Sequence, residues 1–220
     1  MNSPFRLGII GAGFIADVIA RALQGTREVT LGAVASRRVE SARAFAERHG
    51  GVPVFESAEA LFDSGSVDGV YVATPTVARE ALCLAAAARR LPVLADKPFL
   101  NLESLRRITG ACTRAGVAFL DGTHFTHHPR TRAVREALPL KTGKLQGLRT
   151  SFFFPAMDRN NIRLRPDQEP TGAIGDMAWY SMRAVVEYSG SEAPVAECRS
   201  WADRDPVTGA WFRGAGMLRL

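Results

Sequence analysis

The lysine at position 97 has a type and a place suited to proton transfer. It follows an apolar run, Leu91 to Ala95, within Asp96-Lys97-Pro98, and the proline restricts the lysine backbone to extended conformations. In open parallel sheets, ligands bind at the carboxyl ends of the strands, where this lysine is predicted to lie. An ammonium there can hydrogen-bond a substrate oxygen while a hydride moves at the neighbouring carbon. The alternative is a solvated lysine in a loop.

A glycine-rich turn near the start of the chain is typical of dinucleotide binding. The apolar run 5–10 leads into residues 11–16, Gly-Ala-Gly-Phe-Ile-Ala, which match G-x-G-x-x-A. Gly11 permits the tight turn, Gly13 lets the backbone approach a pyrophosphate, and Ala16 lets the helix pack closely on the strand. The free N–H groups of that helix would face the phosphates. The alternative is a glycine turn that binds nothing.

The end of the second β run indicates which dinucleotide would bind. NAD sites usually carry an acidic residue there for the ribose 2′-OH, about twenty residues after the turn. In this chain Ser36, Arg37 and Arg38 stand at that place, and they suit a 2′-phosphate. The sequence therefore predicts NADP rather than NAD. The alternative is that both arginines form a solvated cap on the next helix.

A second chemical cluster is predicted on one helix. Asp176 and Tyr180 lie four residues apart in the segment 172–180, so on a helix they share a face. A phenol beside a lysine ammonium has a lowered pKa, which favours proton relay near neutral pH. Gly172 and Gly175 would admit the nicotinamide or a neighbouring element. The spacing fits equally well a core helix in which Tyr180 packs and Asp176 is an early-turn charge.

Other residues complete the predicted site. Thr74 and Pro75 follow the fourth β run and would line the nicotinamide ribose or form an ordinary turn. Phe125 and the run Phe152-Phe153-Phe154 could form the wall of a substrate pocket, and Phe125 and Phe154 are the predicted substrate contacts, although aromatic residues in β runs are more often core or interface. No metal is expected, because the adjacent histidines at 127 and 128 point apart and lack further ligands. The predicted cofactor-binding residues are Gly11, Gly13, Phe14, Ile15, Ser36, Arg37, Arg38, Thr74, Pro75 and Lys97.

Composition limits the class of protein. The 220 residues are enough for one large or two small domains, and no apolar run approaches membrane-spanning length. Three scattered cysteines and a β run that begins without a signal peptide predict a cytoplasmic protein. The net charge of +6 comes mostly from dispersed arginines, so neither nucleic acid nor membrane is predicted as a partner.

The elements that would position these residues alternate between apolar runs and helical patterns, which is typical of a parallel sheet. Predicted strands cover 5–10, 30–35, 53–55, 68–73, 92–95 and 117–121, with helices at 14–24, 38–49, 57–64, 77–90 and 101–114. From residue 123 the pattern changes, with helices at 129–138 and 171–188 and β runs at 145–154, 195–201 and 210–220. The fold class is therefore predicted as α/β: a doubly wound Rossmann sheet over 1–122, then a partial α+β domain with a mostly antiparallel sheet over 123–220.

Together these motifs resemble the glucose–fructose oxidoreductase/inositol dehydrogenase (Gfo/Idh/MocA) family. The resemblance rests on the glycine turn, Ala35-Ser36-Arg37, Thr74-Pro75, Asp96-Lys97-Pro98, Gly143-Lys144-Leu145, Gly172-Ala173 and Asp176-x-x-x-Tyr180. Tyrosine at 180, where the family usually has histidine, resembles the dihydrodiol and NADP-linked D-xylose dehydrogenase branch. The resemblance implies Lys97 and Tyr180 as the acid–base pair, Asp176 as their support, and a polyhydroxylated substrate.

Two features depart from the family pattern. Where the family often has histidine, this chain has Arg79, which would either favour an anionic substrate or face solvent. The chain is also shorter than family members usually are and stops inside a predicted strand at Leu220. We therefore expect a fragment or a truncated product whose unpaired sheet edge supports a homo-oligomer.

The predicted function is NADP-dependent hydride transfer at a CH–OH or C=O carbon of a sugar, polyol or trans-diol. Lys97, Tyr180 and Asp176 would be catalytic, and Phe125, Phe154, Asp176 and Tyr180 would contact the substrate. A non-catalytic NADP-binding sensor or truncated pseudoenzyme is the alternative.

Overall fold

The chain forms two compact units, Met1–Gly122 and Thr123–Leu220. A computed structural model describes residues 3–143, 145–154, 158–189 and 194–220. Lys144, which belongs to one of the motifs above, lies outside the described residues.

The first unit is built from alternating strands and helices. Its strands are β1 (Phe5–Ile10), β2 (Val29–Ala35), β3 (Val54–Phe55), β4 (Gly69–Val72), β5 (Val93–Ala95) and β6 (Phe119–Asp121). Its helices are α1 (Phe14–Leu23), α2 (Val39–Arg48), α3 (Ala58–Asp63), α4 (Thr76–Ala88) and α5 (Leu102–Ala115). These bounds agree with the predicted elements to within two residues at each end.

All six strands form one parallel sheet in the order β3-β2-β1-β4-β5-β6. The order reverses on either side of β1, so the gap between β1 and β4 is the topological switch point at which such sheets bind ligands. The predicted doubly wound α/β class is confirmed.

Local signals fix the helix ends, and apolar burial holds the helices on the sheet. The Asn101 side chain accepts the Ser104 N–H at 2.8 Å at the start of α5, and Gly116 ends that helix in the left-handed conformation. On one sheet face, Ile9 and Phe45 are fully buried in a cluster with residues of α1 and α2. Burial of such side chains is the main stabilising contribution to this unit.

Within its described residues, the second unit contains two longer helices and one antiparallel strand pair. Its elements are two 3₁₀ turns (His124–His127 and Ile162–Leu164), α6 (Pro129–Thr142), α7 (Gly172–Ser189), β7 (Glu197–Arg204) and β8 (Trp211–Arg219). β7 pairs with β8, and Asp205 holds the turn between them by accepting the Val207 and Thr208 N–H groups. The helix around Asp176 and the antiparallel pair agree with the prediction.

The predicted β run at 145–154 is wrong. Its β-branched and aromatic residues favour a strand, but the described part, all of 145–154, has no strand conformation. A strand needs a neighbouring backbone to satisfy its N–H and C=O groups. Within the described residues of this unit, β7 and β8 pair only with each other, so this segment has no ladder to join.

Candidate functional site

The glycine turn after β1 is tied to both neighbouring strands of the sheet. Gly11 has a φ of +108°, and its N–H donates to Ala35 O at 2.8 Å, at the end of β2. A Cβ at Gly11 would lie 2.9 Å from Ala73 O, just after β4. Both the positive φ and this close approach require glycine, and they fix the turn at the switch point.

Gly13 has open space beside it, whereas Gly11 is crowded by backbone atoms. It caps α1 in an extended conformation without a side-chain cap, and a Cβ placed on it would meet nothing within 4 Å. The N–H groups of the first helical turn, including that of Ile15, have no intrahelical acceptor. Phe14 is 83% exposed beside them. The turn thus offers open space next to a positive helix end, which is an arrangement that binds phosphates.

Two guanidinium groups lie at the carboxyl end of β2. Arg37 and Arg38 are exposed, Ser36 is partly buried, and Arg38 caps α2 through its backbone alone. Neither arginine forms an ion pair with any residue that the structure describes. Because Ala35 bonds to Gly11, these charges stand directly beside the glycine turn.

The loop after β4 carries a buried hydroxyl. Pro75 caps α4, and Thr74 Oγ1 is buried without a hydrogen-bond partner in the described part of the chain. A buried hydroxyl without a partner is costly unless a ligand or water satisfies it. This favours a ligand-lining loop over an ordinary turn.

The expectation that Arg79 faces solvent is wrong. The residue is only 3% exposed. Its guanidinium donates to the carbonyl oxygens of Thr74 and Pro98 and to the Thr76 hydroxyl. Because Thr74 follows β4 and Pro98 follows β5, these hydrogen bonds join the loops after the two strands.

Lys97 lies where the sequence places it, directly after β5. The residue is 9% exposed, and its backbone N–H donates to Asp96 Oδ1 at 2.9 Å. The Lys97–Pro98 peptide is cis. The lysine is thus on the same edge of the sheet as the glycine turn, in a backbone segment held by Asp96 and Arg79.

In the second unit, Tyr180 stands in an aromatic cluster. The Phe152 ring stacks on the Tyr180 ring with centroids 4.9 Å apart and planes 8° apart. Phe125 lies 6.1 Å from the phenol ring, and His124 Nδ1 lies 3.5 Å from the phenol oxygen. The predicted residues Phe125 and Tyr180 are therefore neighbours, and Phe154 joins them through an edge contact with Phe152.

Asp176, one helical turn before Tyr180, is buried and paired. Arg163 Nε donates to its Oδ2 at 2.6 Å, and the same guanidinium lies over the Phe154 ring at 5.2 Å. Sequence reasoning included Phe152 in the aromatic run that could form a pocket wall, but it missed Arg163 and His124 as neighbours of the predicted residues. The place of His124 directly before Phe125 was a signal for the histidine, and no local pattern indicated Arg163.

The two glycines of α7 each leave room for a close neighbour, Gly172 for a strand and Gly175 for the residue before the helix. A Cβ at Gly172 would clash with the Trp211 carbonyl of β8, and one at Gly175 would clash with the Thr171 side chain. Within this unit, Gly172 therefore allows the helix start to approach the strand closely.

The described residues form neither a metal cluster nor a membrane-spanning helix. They contain no group of three or more histidine, cysteine, aspartate or glutamate side chains that could hold a metal ion. They also contain no helix of the length and hydropathy needed to cross a bilayer.

The sheet order, with a glycine turn at its switch point, defines a dinucleotide-binding Rossmann fold. The model for the Gfo/Idh/MocA family, described as an oxidoreductase family with an NAD-binding Rossmann fold, matches residues 5–123. The chain belongs to this oxidoreductase family, as its motifs predict.

Known relatives agree with this membership. A dTDP-3,4-didehydro-2,6-dideoxy-alpha-D-glucose 3-reductase from Actinomadura kijaniata is 33% identical over 94% of this chain and 63% of the relative. The D-xylose 1-dehydrogenase (NADP(+)) 2 of Haloferax volcanii is 29% identical over 84% of this chain and 57% of that enzyme. A mutant of KijD10, a 3-ketoreductase from Actinomadura kijaniata solved with TDP-benzene and NADP, superposes with a TM-score of 0.88 at 28% identity, covering 98% of this chain and 66% of that one. The chain thus spans 57% to 66% of the length of these relatives.

Proposed function

We propose that this chain is an NADP-dependent oxidoreductase that moves a hydride between the nicotinamide and a CH–OH or C=O carbon of a sugar, polyol or diol. The observation that carries the proposal is the glycine turn at the switch point, with Arg37 and Arg38 beside it, neither of which is ion-paired within the described residues. Family membership supports a nicotinamide dinucleotide, and the NADP complex of KijD10 supports NADP in particular.

The residues present fit NADP. Gly13 leaves open the space that a pyrophosphate needs, and the first turn of α1 supplies N–H donors to it. The two guanidinium groups suit the 2′-phosphate, because charge-assisted hydrogen bonds to phosphate are strong. The Thr74 hydroxyl, buried without a partner in the described chain, would gain one from the bound nucleotide.

We assign the acid–base roles to Lys97 and Tyr180. NADPH, when bound, supplies the hydride. Lys97 donates a hydrogen bond to the substrate oxygen, which polarises the carbonyl group, and Tyr180 supplies the proton that this oxygen takes up. Asp176 orients Tyr180, which lies one turn further along α7. It also accepts a hydrogen bond from a substrate hydroxyl. In the oxidative direction the same groups accept the proton from the alcohol.

Two of the relatives are named for different classes of sugar substrate, and both classes should be tested. The reductase from Actinomadura kijaniata is named for a dTDP-linked keto sugar, and the enzyme from Haloferax volcanii is named for D-xylose. The aromatic cluster around Tyr180 suits the apolar face of a sugar ring, and Arg163 is the cation next to it. We propose a sugar carbonyl or carbinol carbon as the reacting centre, free or nucleotide-linked.

The test is NADPH oxidation, and NADP reduction in reverse, followed at the nicotinamide absorbance. The panel contains dTDP-linked keto sugars, aldoses, inositols and trans-diols. Turnover of any of these that disappears in Lys97→Met, with NADPH binding retained, supports the proposal. NADPH binding without turnover of the panel contradicts the enzymatic reading and favours the non-catalytic NADP-binding alternative.

The free cysteines bear on the compartment, which we propose to be the cytoplasm. Cys83 and Cys112 are buried free thiols and Cys198 is an exposed one, which fits a reducing cytoplasm.

The pair of strands β7 and β8 carries exposed apolar side chains that a second copy of the chain could cover. Trp201 and Met217 are large apolar residues of this ribbon that are exposed. We propose that a second copy covers this ribbon, and sedimentation that shows only a monomer would contradict it.

A further inference from the structure

We propose that Arg79 is a positioning residue that fixes the Lys97 backbone and the Thr74 loop for hydride transfer. The inference rests on the proposed function and extends it to a residue that touches neither reacting atom. It concerns only the first unit. Nothing in the sequence motif indicated this role, because the family resemblance leads one to expect histidine at this position.

Arg79 joins two loops that are distant in sequence. It lies one turn into α4, and one of its terminal nitrogens donates to Thr74 O, five residues earlier. The other donates to the Thr76 hydroxyl at 3.1 Å and to Pro98 O, nineteen residues later. A planar guanidinium can bond in two directions at once, which a compact ammonium or an imidazole does less well.

The charge of this side chain is held by carbonyl dipoles. Arg79 is almost fully buried, and within the described residues it has no carboxylate partner. A buried cation is strongly unfavourable without hydrogen bonds, so the Thr74 and Pro98 carbonyl groups must stay oriented towards it. The carbonyl groups of the two loops stabilise the guanidinium charge, and the hydrogen bonds to the guanidinium keep both loops in place.

These hydrogen bonds restrict the backbone at Lys97 and at Thr74. Pro98 directly follows Lys97, so fixing the Pro98 carbonyl fixes the backbone from which the ammonium extends. Thr74 O is fixed likewise, next to the hydroxyl proposed to contact the nucleotide. Reactions of this kind lose rate steeply when a reacting group is displaced by even one ångström. Arg79 therefore contributes to the chemical step and little to cofactor affinity, which the glycine turn provides.

The first test compares Arg79→Lys and Arg79→His with wild type. We expect kcat to fall about 10- to 100-fold in both variants, with a larger deuterium isotope effect from NADPH labelled at the transferred hydrogen. The NADPH dissociation constant should change less than about two-fold, because the phosphates bind at the α1 N-terminus. Arg89→Lys is the matched control: it lies at the other end of α4 and forms a surface ion pair with Asp63.

A second readout does not depend on turnover. The chain has only three lysines, at 97, 141 and 144, so the labelling of Lys97 by a small amine reagent can be followed by peptide mass spectrometry against exposed Lys141. We expect slow labelling of Lys97 in wild type and labelling about 10-fold faster or more in both Arg79 variants, because freeing the loop exposes the amine. Thermal melts confirm that each variant is folded.

The outcomes separate the two proposals. Wild-type turnover, with loss of kcat and faster Lys97 labelling in the variants, supports the role of Arg79. If wild type shows no turnover, the proposed function fails, and the labelling result alone decides whether Arg79 fixes Lys97. Unchanged Lys97 labelling in folded Arg79→His, or a kcat equal to that of Arg89→Lys, overturns the inference.

Discussion

Arg163 and Asp176 form an ion pair in the second unit, with Nε 2.6 Å from Oδ2. The pair joins the 3₁₀ turn before the helix to the carboxylate of α7, one turn before Tyr180. Because of this ion pair, the largely buried Asp176 carboxylate has a charged hydrogen-bond donor as its partner. Asp176 is therefore held in one orientation from outside its own helix.

Removing this partner should destabilise the second unit. We expect Arg163→Gln to lower the free energy of unfolding by about 1.5 kcal/mol, near the lower end for hydrogen bonds to charged groups because Arg163 remains accessible. Urea unfolding measures the change. Arg132→Gln is the control, because Arg132 pairs with Glu136 on an exposed helix face and should cost about 0.5 kcal/mol or less. Equal losses in both variants would contradict the structural importance of the Asp176 pair.

The stacked rings of Phe152 and Tyr180 predict a measurable coupling. In a double-mutant cycle with Phe152→Ala and Tyr180→Ala, we expect about 0.5–1.5 kcal/mol of coupling free energy, as for other aromatic pairs. Phe153 provides the control, because it is the neighbouring residue and is 82% exposed. A Phe153–Tyr180 coupling as large as that of Phe152–Tyr180 would show that the stacking is not specific.

Two glycines of one turn should respond differently to alanine. Gly11→Ala should lower the melting temperature, because a left-handed backbone costs about 1–2 kcal/mol for other residues and the Cβ would press on Ala73 O. Gly13→Ala should keep the melting temperature and weaken NADPH binding, because its Cβ enters only open space. Thermal melts and NADPH titrations of both variants check this. The reverse pattern would mean that Gly13 supports the fold and not a ligand.

Acid stability should depend on Asp17 of α1. Arg21 and then His49 donate to its carboxylate and lower the pKa of Asp17 from 3.8 to about 2. A carboxyl pKa that is lower in the folded state adds stability above its unfolded value, and this stability is lost as the pH falls through the folded one. Asp17→Asn should therefore flatten the fall of the melting temperature between pH 4 and 2.

The control for this series is Asp167→Asn, which changes an exposed carboxylate. Melts at a set of pH values below 5 compare the three proteins. If the Asp17 variant loses stability on acidification as steeply as wild type does, the carboxylate is not held as the structure shows.

Features that depend on a few neighbouring residues could be predicted from the sequence. The glycine turn, the Asn101 cap and the place of Lys97 after β5 each follow from local backbone requirements or from the strand–helix alternation. The parallel order of the sheet follows as well, because short strand–helix–strand connections permit few topologies.

What could not be predicted depends on contacts between distant segments. The guanidinium of Arg79 meets Pro98 only because β4 and β5 are neighbours, and no local pattern distinguishes it from a surface arginine. Arg163 meets Asp176 in the same way. The segment 145–154 has strand-forming residues but no partner backbone in the described chain, and propensity alone does not reveal whether a partner exists.

The most direct test of the account is a fluorescence titration of the chain with NADPH and with NADH, in wild type and in Arg37→Asp. Arg43→Asp is the control, because Arg43 is an exposed residue of the same helix, α2. We predict that wild type and the control bind NADPH more tightly than NADH by about 10-fold or more, as expected for guanidinium–phosphate contacts, and that Arg37→Asp abolishes or reverses this preference. Equal affinity of wild type for the two nucleotides, or an unchanged preference in Arg37→Asp, would contradict an NADP site at the glycine turn.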